Sequence, residues 1–193
     1  MPAIYIMRHG KTQWNAERRV QGHKNSPLLE EGRVMAGRMA EFFRDKGIRT
    51  VYVSPLPRCV ETADIVCGAL GLVYRTDERL VECSHGTCEG MAIVDALEFF
   101  AAHVAARGGD IWTVPWPGGE SYSAVFARAE SFAADLDPPP CLIIAHARLN
   151  ACLAGALLGM TPEELLKLRQ NNGTLFIIEE GGLRLMHLDA DSA

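Results

Sequence analysis

The chain has 193 residues, a formal net charge of −5, 48% hydrophobic residues and 22% charged residues. This composition is typical of a globular protein long enough to bury a substantial core, and it excludes a largely disordered chain. The acidic balance argues against a nucleic-acid-binding protein, which would carry a basic face. It is compatible with a small phosphorylated substrate, because one phosphate group needs only a few local cations.

The sequence also indicates where the protein works. Its apolar runs are too short, or too interrupted by charge, to span a bilayer, and its amino terminus carries no secretion signal. Six cysteines at irregular spacings are typical of reduced, mostly buried thiols in such a chain. We therefore expect a cytoplasmic protein with no membrane partner. The oligomeric state stays open, and a homodimer is one of the alternatives.

Short runs of aliphatic and β-branched residues predict strands that are buried on both faces. In chain order these runs cover residues 3–7, 50–53, 141–145 and 174–178, and the pair Gly181-Gly182 predicts a hairpin to a last strand. Helical spacing of apolar residues predicts the connecting helices. They cover residues 35–43, 60–70, 93–107, 122–136, 149–158 and 163–168.

This alternation predicts an α/β protein, a three-layer α/β/α sandwich with a mainly parallel central sheet. We interpret residues 1–193 as a single domain. A small helical cap is predicted as an insertion over about residues 82–120.

Basic side chains follow three of the predicted strands. Arg8 and His9 come after the first, Arg58 opens the helix after the second, and His146 follows the run that ends at Ala145. Because the ligand site of an open parallel sheet lies at the carboxyl ends of its strands, we expect these four side chains to converge. Each one alone is more commonly an ordinary loop residue. Together, next to helix amino termini, they predict a site for a phosphoryl group.

The segment Met7-Arg8-His9-Gly10-Lys11-Thr12, followed by Trp14-Asn15, resembles the signature of the histidine phosphatase superfamily, whose members include phosphoglycerate-mutase-like proteins. Four further motifs follow in the family's order, so the resemblance extends over nearly the whole chain. They lie at residues 54–63, 80–90, 117–121 and 145–159.

The resemblance implies a metal-independent phosphomonoester hydrolase with no cofactor, acting through a phosphohistidine intermediate. His9 is then the nucleophile, Glu82 the acid and base, and Arg8, Arg58 and His146 the groups around the phosphoryl oxygens. Glu82 has to be protonated to act as an acid, which predicts a pKa raised by partial burial. The residues expected to bind the substrate are Asn15, Gln21, Gly22, His85 and Ala147.

Several alternatives stay open at this level. Glu89 is a rival to Glu82 as the acid. Cys83, His85 and Cys88 are three potential zinc ligands without an evident fourth. A cofactor-dependent phosphoglycerate mutase and a non-catalytic phosphate-binding protein are the other functional hypotheses. The stretch 91–117 contains one arginine, Arg107, and no lysine, which favours a phosphatase over a mutase and disfavours substrates with several anionic groups.

Overall fold

A mixed sheet of six strands forms the centre of the part of the chain, residues 3–188, that this computed structural model describes. The strands are β1 (Ile4–Arg8), β2 (Thr50–Val53), β3 (Arg75–Thr76), β4 (Cys141–Ala145), β5 (Thr174–Glu179) and β6 (Gly182–His187). Their spatial order is β3-β2-β4-β1-β5-β6. The first four strands in this order pair in parallel, whereas β5 is antiparallel to both of its neighbours.

Helices cover both faces of this sheet. They are α1 (Gln13–Ala16), α2 (Glu30–Phe43), α3 (Pro57–Leu70), α4 (Ile93–Arg107), α5 (Tyr122–Ala134), α6 (Ala147–Leu158) and α7 (Pro162–Lys167). Side chains of α2 and α3 build one apolar core, and side chains of α4, α5 and α6 build the other. The predicted three-layer α/β/α arrangement with a mainly parallel sheet is therefore confirmed.

The register of the central strands brings three chain segments to one edge of the sheet. Arg8 is paired with Ala145 across β1 and β4, so His9 and His146 follow at the same level. The strand β2 ends beside them, because Val53 is paired with Ile144. Backbone hydrogen bonds continue one residue further, from the N–H of His9 to Ala145 and from the N–H of Ser54 to Ile144, both at 3.0 Å. The carboxyl ends of β1, β2 and β4 thus form one crevice.

The short elements were not predicted. The strand β3 has two exposed residues, too few for a periodic pattern, and α1 is a single turn. A capping box between Thr12 and Asn15 stabilises that turn. Two short 3₁₀ helices, at Glu78–Leu80 and Gly86–Cys88, also went unpredicted. Within residues 3–188, no helix is both long and apolar enough to cross a membrane.

Candidate active site

A cavity of about 200 Å³ opens at the carboxyl edge of the sheet. The segment 82–120, predicted as a cap, contributes several of its lining residues. Eight of the ten predicted site residues line the cavity, namely Arg8, His9, Asn15, Gln21, Gly22, Arg58, Glu82 and His85. His146 lies beneath them against Arg58, and Ala147 lines an adjoining cleft.

His9 is buried and held in one tautomer. Its Nδ1 lies 2.8 Å from the carbonyl oxygen of Gly10, which can only accept, so Nδ1 carries the proton and donates. Burial, together with the positive charges of Arg8 and Arg58, holds the pKa of His9 well below its usual value. The imidazole is therefore neutral near pH 7, and Nε2 keeps the lone pair that a nucleophile needs.

Two arginines place positive charge around His9. Arg58 is 1% exposed and donates to the carbonyl oxygens of Gly22 at 2.7 Å and Lys24 at 2.9 Å. Arg8 donates to the backbone carbonyl of Gln170 at 3.0 Å. The Nε atoms of both arginines are buried without a protein acceptor among the residues described. Such orphaned donors are costly unless a ligand accepts from them, so they mark an anion site.

His146 completes the charged base of the cavity. Arg58 donates to its Nδ1 at 3.2 Å, so its Nε2 carries the proton and donates to the Ser54 hydroxyl at 2.7 Å. The His146 and His9 rings lie 5.4 Å apart. Burial and the charge of Arg58 hold the pKa of His146 well below its usual value.

The environment of Glu82 differs from the sequence expectation. Its carboxylate lies at the amino terminus of α6, where it accepts from the N–H groups of Arg148 at 3.3 Å and Leu149 at 3.2 Å. The N–H of Cys83 donates to it at 2.9 Å. Burial raises the pKa of Glu82. His85, the Cys83 N–H, Arg58 and Arg8 together lower it by more than burial raises it, so the pKa lies below its usual value. The predicted rise in pKa is wrong, because the sequence did not reveal how His85, the Cys83 N–H and the two arginines surround the carboxylate.

Glu89, the rival acid, has a different place. It is absent from the cavity lining among the residues described. Its carboxylate accepts from three backbone N–H groups, those of His23 at 3.0 Å, His85 at 3.1 Å and Lys24 at 3.3 Å. These contacts tie the loop that carries Gly22 to the segment after Glu82. Glu89 thus positions the carbonyl groups that hold Arg58.

The three predicted binding residues near α1 differ in the groups that they leave available to a ligand. The Oδ1 of Asn15 accepts from the Thr12 N–H in the capping box, which leaves the amide nitrogen for a ligand. Gln21 is tied to the Thr12 hydroxyl at 2.8 Å and is 8% exposed. Gly22 has a φ of +53°, and a Cβ there would lie 2.1 Å from the Glu89 carboxylate. Any larger residue at position 22 would therefore displace the loop that holds Arg58.

The outer wall of the cavity is largely apolar and was mostly missed by sequence reasoning. It is formed by Val20, Ile93, Leu97, Trp116 and Tyr122. Trp116 lines the cavity and also packs in the cap, where its ring stacks on Phe100 with the centroids 3.9 Å apart. His85 contacts Trp116 edge-on at 4.6 Å. No contiguous motif marks these residues, since they come from separate segments.

A second, polar cleft of about 260 Å³ adjoins the cavity. The two share Arg8, Glu82, His85 and Tyr122, so they form one continuous opening around the carboxylate. Cys83 and Cys88 are buried free thiols. Within residues 3–188, no three His, Cys, Asp or Glu side chains converge into a potential metal site.

The fold and the site together define an α/β protein with a buried histidine between two arginines at the carboxyl edge of its sheet. The family description "Histidine phosphatase superfamily (branch 1)" matches residues 4–188. The chain therefore belongs to the histidine phosphatase superfamily, as the sequence motifs predicted.

Two curated relatives show how this family varies. The probable phosphoglycerate mutase GpmB of Enterobacter sp. (strain 638) is 33% identical over 186 residues, which is 93% of this chain and 85% of that protein. The 6-phosphofructo-2-kinase/fructose-2,6-bisphosphatase of Gallus gallus is 35% identical over 170 residues, which is 86% of this chain and 35% of that protein. The relatives thus include enzymes named as mutases and as phosphatases.

Two solved structures are similar over almost the whole chain. The mycobacterial glucosyl-3-phosphoglycerate phosphatase in complex with VO3 matches with a TM-score of 0.80 and 27% identity, covering 100% of both chains. The alpha-ribazole phosphatase of Shigella flexneri matches with a TM-score of 0.82 and 26% identity, covering 97% of this chain and 96% of that one.

Proposed function

We propose that this protein is a phosphomonoester hydrolase that acts on a small phosphorylated metabolite through a phosphohistidine on His9. The observation that carries this proposal is the state of His9. Its Nδ1–H bond to Gly10 and its depressed pKa leave Nε2 unprotonated, next to arginines with orphaned donors. The phosphatase names of the two similar solved structures support the same class of reaction.

The reaction would proceed in two transfers. In the first, the Nε2 lone pair of His9 forms a bond to phosphorus while the ester P–O bond breaks. The leaving oxygen takes a proton from Glu82. In the second, water attacks the phosphohistidine and gives a proton back to Glu82, and the P–N bond breaks to release phosphate. Arg8, Arg58 and His146 stabilise the charge on the three oxygens that do not react.

The ionisation of Glu82 fits this cycle once substrate is bound. In the empty site, Arg8 and Arg58 help to lower the pKa of the carboxyl group. A phosphate dianion between the arginines offsets their charge, and the pKa of Glu82 then rises toward the protonated form. Substrate binding would therefore be coupled to proton uptake by the site.

Because the arginines supply the positive charge, we expect EDTA to leave phosphatase activity unchanged and vanadate to inhibit it competitively. Vanadate adopts the pentacoordinate geometry of the transferring phosphoryl group. Phosphate release from p-nitrophenyl phosphate measures both effects. Loss of activity in EDTA that Mg²⁺ or Zn²⁺ restores would contradict the proposed chemistry.

We expect Arg58→Ala to lower kcat/KM by roughly 10³-fold, since one charged donor in a preorganised site contributes about 3–4 kcal/mol. Arg58→Lys should restore part of this loss, because lysine keeps the charge but cannot donate to Gly22, Lys24 and the phosphate together. Steady-state kinetics measure both variants. Arg107→Ala, on the exposed end of α4, is the matched control. Near-wild-type kinetics for Arg58→Lys would make Arg58 peripheral to the reaction.

A cofactor-dependent phosphoglycerate mutase is the second candidate, and the name of the Enterobacter relative favours it. A panel of phosphomonoesters separates the two functions. Phosphate release is followed for each compound, and conversion of 3-phosphoglycerate to 2-phosphoglycerate is followed alongside. Isomerisation faster than phosphate release would identify a mutase. Rapid phosphate release with slow isomerisation would identify a hydrolase.

A further inference from the structure

The second cleft carries an excess of positive charge, and the single arginine of the cap, Arg107, does not contribute to it. Its lining includes Arg8, Arg148 and Arg169, set against the single carboxylate of Glu82. Arg148 lies on the first turn of α6, and Arg169 lies in the loop before β5. The count of cations in the stretch 91–117 therefore missed both, because they come from other elements that the fold brings to this cleft.

Arg148 is held over the cleft by weak contacts that leave most of its donors free. Its guanidinium lies 4.6 Å from the ring centroid of Tyr122, which lines both the cavity and the cleft. It also makes a long hydrogen bond of 3.4 Å to the carbonyl oxygen of Leu165. Within residues 3–188, the side chains of Arg148 and Arg169 donate to backbone carbonyl groups and form no ion pair with a carboxylate. A guanidinium has five N–H donors, so Arg148 can still donate two parallel hydrogen bonds to one anion.

The cleft also adjoins Glu82, the residue proposed to protonate the leaving group. The backbone N–H of Arg148 donates to the carboxylate of Glu82, so this arginine is adjacent to the proposed acid. Arg8 links the two spaces, because it lines both and donates to the Gln170 carbonyl in the wall of the cleft. A substrate whose ester oxygen is within reach of Glu82 thus has the cleft lined by Arg148 next to it.

We propose that Arg148, assisted by Arg169, forms a second anion subsite that selects phosphomonoesters whose leaving group carries its own carboxylate or phosphate. This inference rests on the proposed function for the place of the leaving group, and it defines the substrate class that the proposed function left open. It reverses the expectation that substrates with several anionic groups are disfavoured.

Substrate pairs that differ by one anionic group provide the test. 3-Phosphoglycerate and glycerol 3-phosphate have the same three carbons, and 6-phosphogluconate and glucitol 6-phosphate have the same six. Fructose 1,6-bisphosphate supplies a second phosphate in place of the carboxylate. In the wild type we expect kcat/KM to favour the doubly anionic member of at least one pair by about 10- to 100-fold, since a charge-assisted contact is of that order.

The variant Arg148→Met removes the charge and keeps an apolar stem against Tyr122. It should reduce that preference to near one, with the change mainly in KM, and Arg169→Met should reduce it in part. Arg107 lines neither the cavity nor the second cleft, so Arg107→Met should keep the wild-type preference. A preference that survives in Arg148→Met, or that is absent from the wild type for every pair, would overturn the subsite.

Binding to the His9→Ala protein tests the subsite without turnover. Titration calorimetry should give a lower Kd for 3-phosphoglycerate or 6-phosphogluconate than for its partner without the carboxylate, and Arg148→Met in the same background should remove the difference. If the wild type hydrolyses no phosphomonoester but this binding preference holds, the proposed function fails and the subsite stands. Hydrolysis with equal Kd values within each pair would instead overturn the subsite and leave the proposed function intact.

Discussion

Replacing His9 by Ala should abolish both turnover and the phosphoenzyme, with a loss of kcat of roughly 10⁴- to 10⁶-fold. His9 lines the cavity with an imidazole whose Nδ1 donates to a backbone carbonyl and whose Nε2 is left unprotonated. Rapid quench after mixing with ³²P-labelled substrate should trap a protein label that is labile in acid and stable in base. That pattern is typical of phosphohistidine.

The control for this variant is His103→Ala. His103 lies on α4 and lines neither the cavity nor the polar cleft, so its removal should leave both label and turnover intact. Thermal unfolding of His9→Ala, followed by circular dichroism, shows whether the fold persists. A label that remains in a folded His9→Ala protein would mean that another residue carries the phosphoryl group.

Glu82→Gln should lower kcat/KM by about 10²- to 10⁴-fold on an alkyl phosphate, which is the usual range for general acid catalysis. An alkoxide is a poor leaving group and needs a proton as it departs. The nitrophenolate of p-nitrophenyl phosphate leaves without one, so the first transfer should be far less affected. Hydrolysis of the phosphohistidine would still be slow. Stopped-flow absorbance should therefore show a burst of nitrophenolate followed by a low steady rate.

Glutamine is a suitable replacement because it keeps most of the local hydrogen bonds. Its amide oxygen can still accept from the N–H groups of Cys83 and Leu149, and the longer 3.3 Å contact with Arg148 is the one lost. Glu89→Gln is the matched control, with its carboxylate outside the cavity. It should show no burst, although weaker support of the loop that holds Arg58 could lower activity modestly. Exchange of the two behaviours would make Glu89 the acid.

Much of the fold followed from local sequence patterns. The runs that became β1, β2, β4 and β5 are rich in aliphatic and aromatic residues and are mostly buried, a pattern typical of central strands. The helical pattern around Ile93–Arg107 became α4, which ends before Gly108 with its left-handed φ of 61°. The two-residue strand β3 has no such signal, because its pairing with β2 is a tertiary contact.

The sequence by itself determined the chemistry at the carboxyl ends of the strands. Arg8, His9, Arg58 and His146 each follow or open an element at a fixed chain distance, so a parallel sheet is enough to predict that they meet. The tertiary structure decided the rest. The lowered pKa of Glu82 depends in part on Arg58 and Arg8, which come from other segments and meet the carboxylate only in the fold. The charge of the second cleft depends on Arg148 and Arg169, which α6 and the loop before β5 bring to Glu82. Both are sums of electrostatic effects over groups from distant segments, and such sums exist only once the chain has folded.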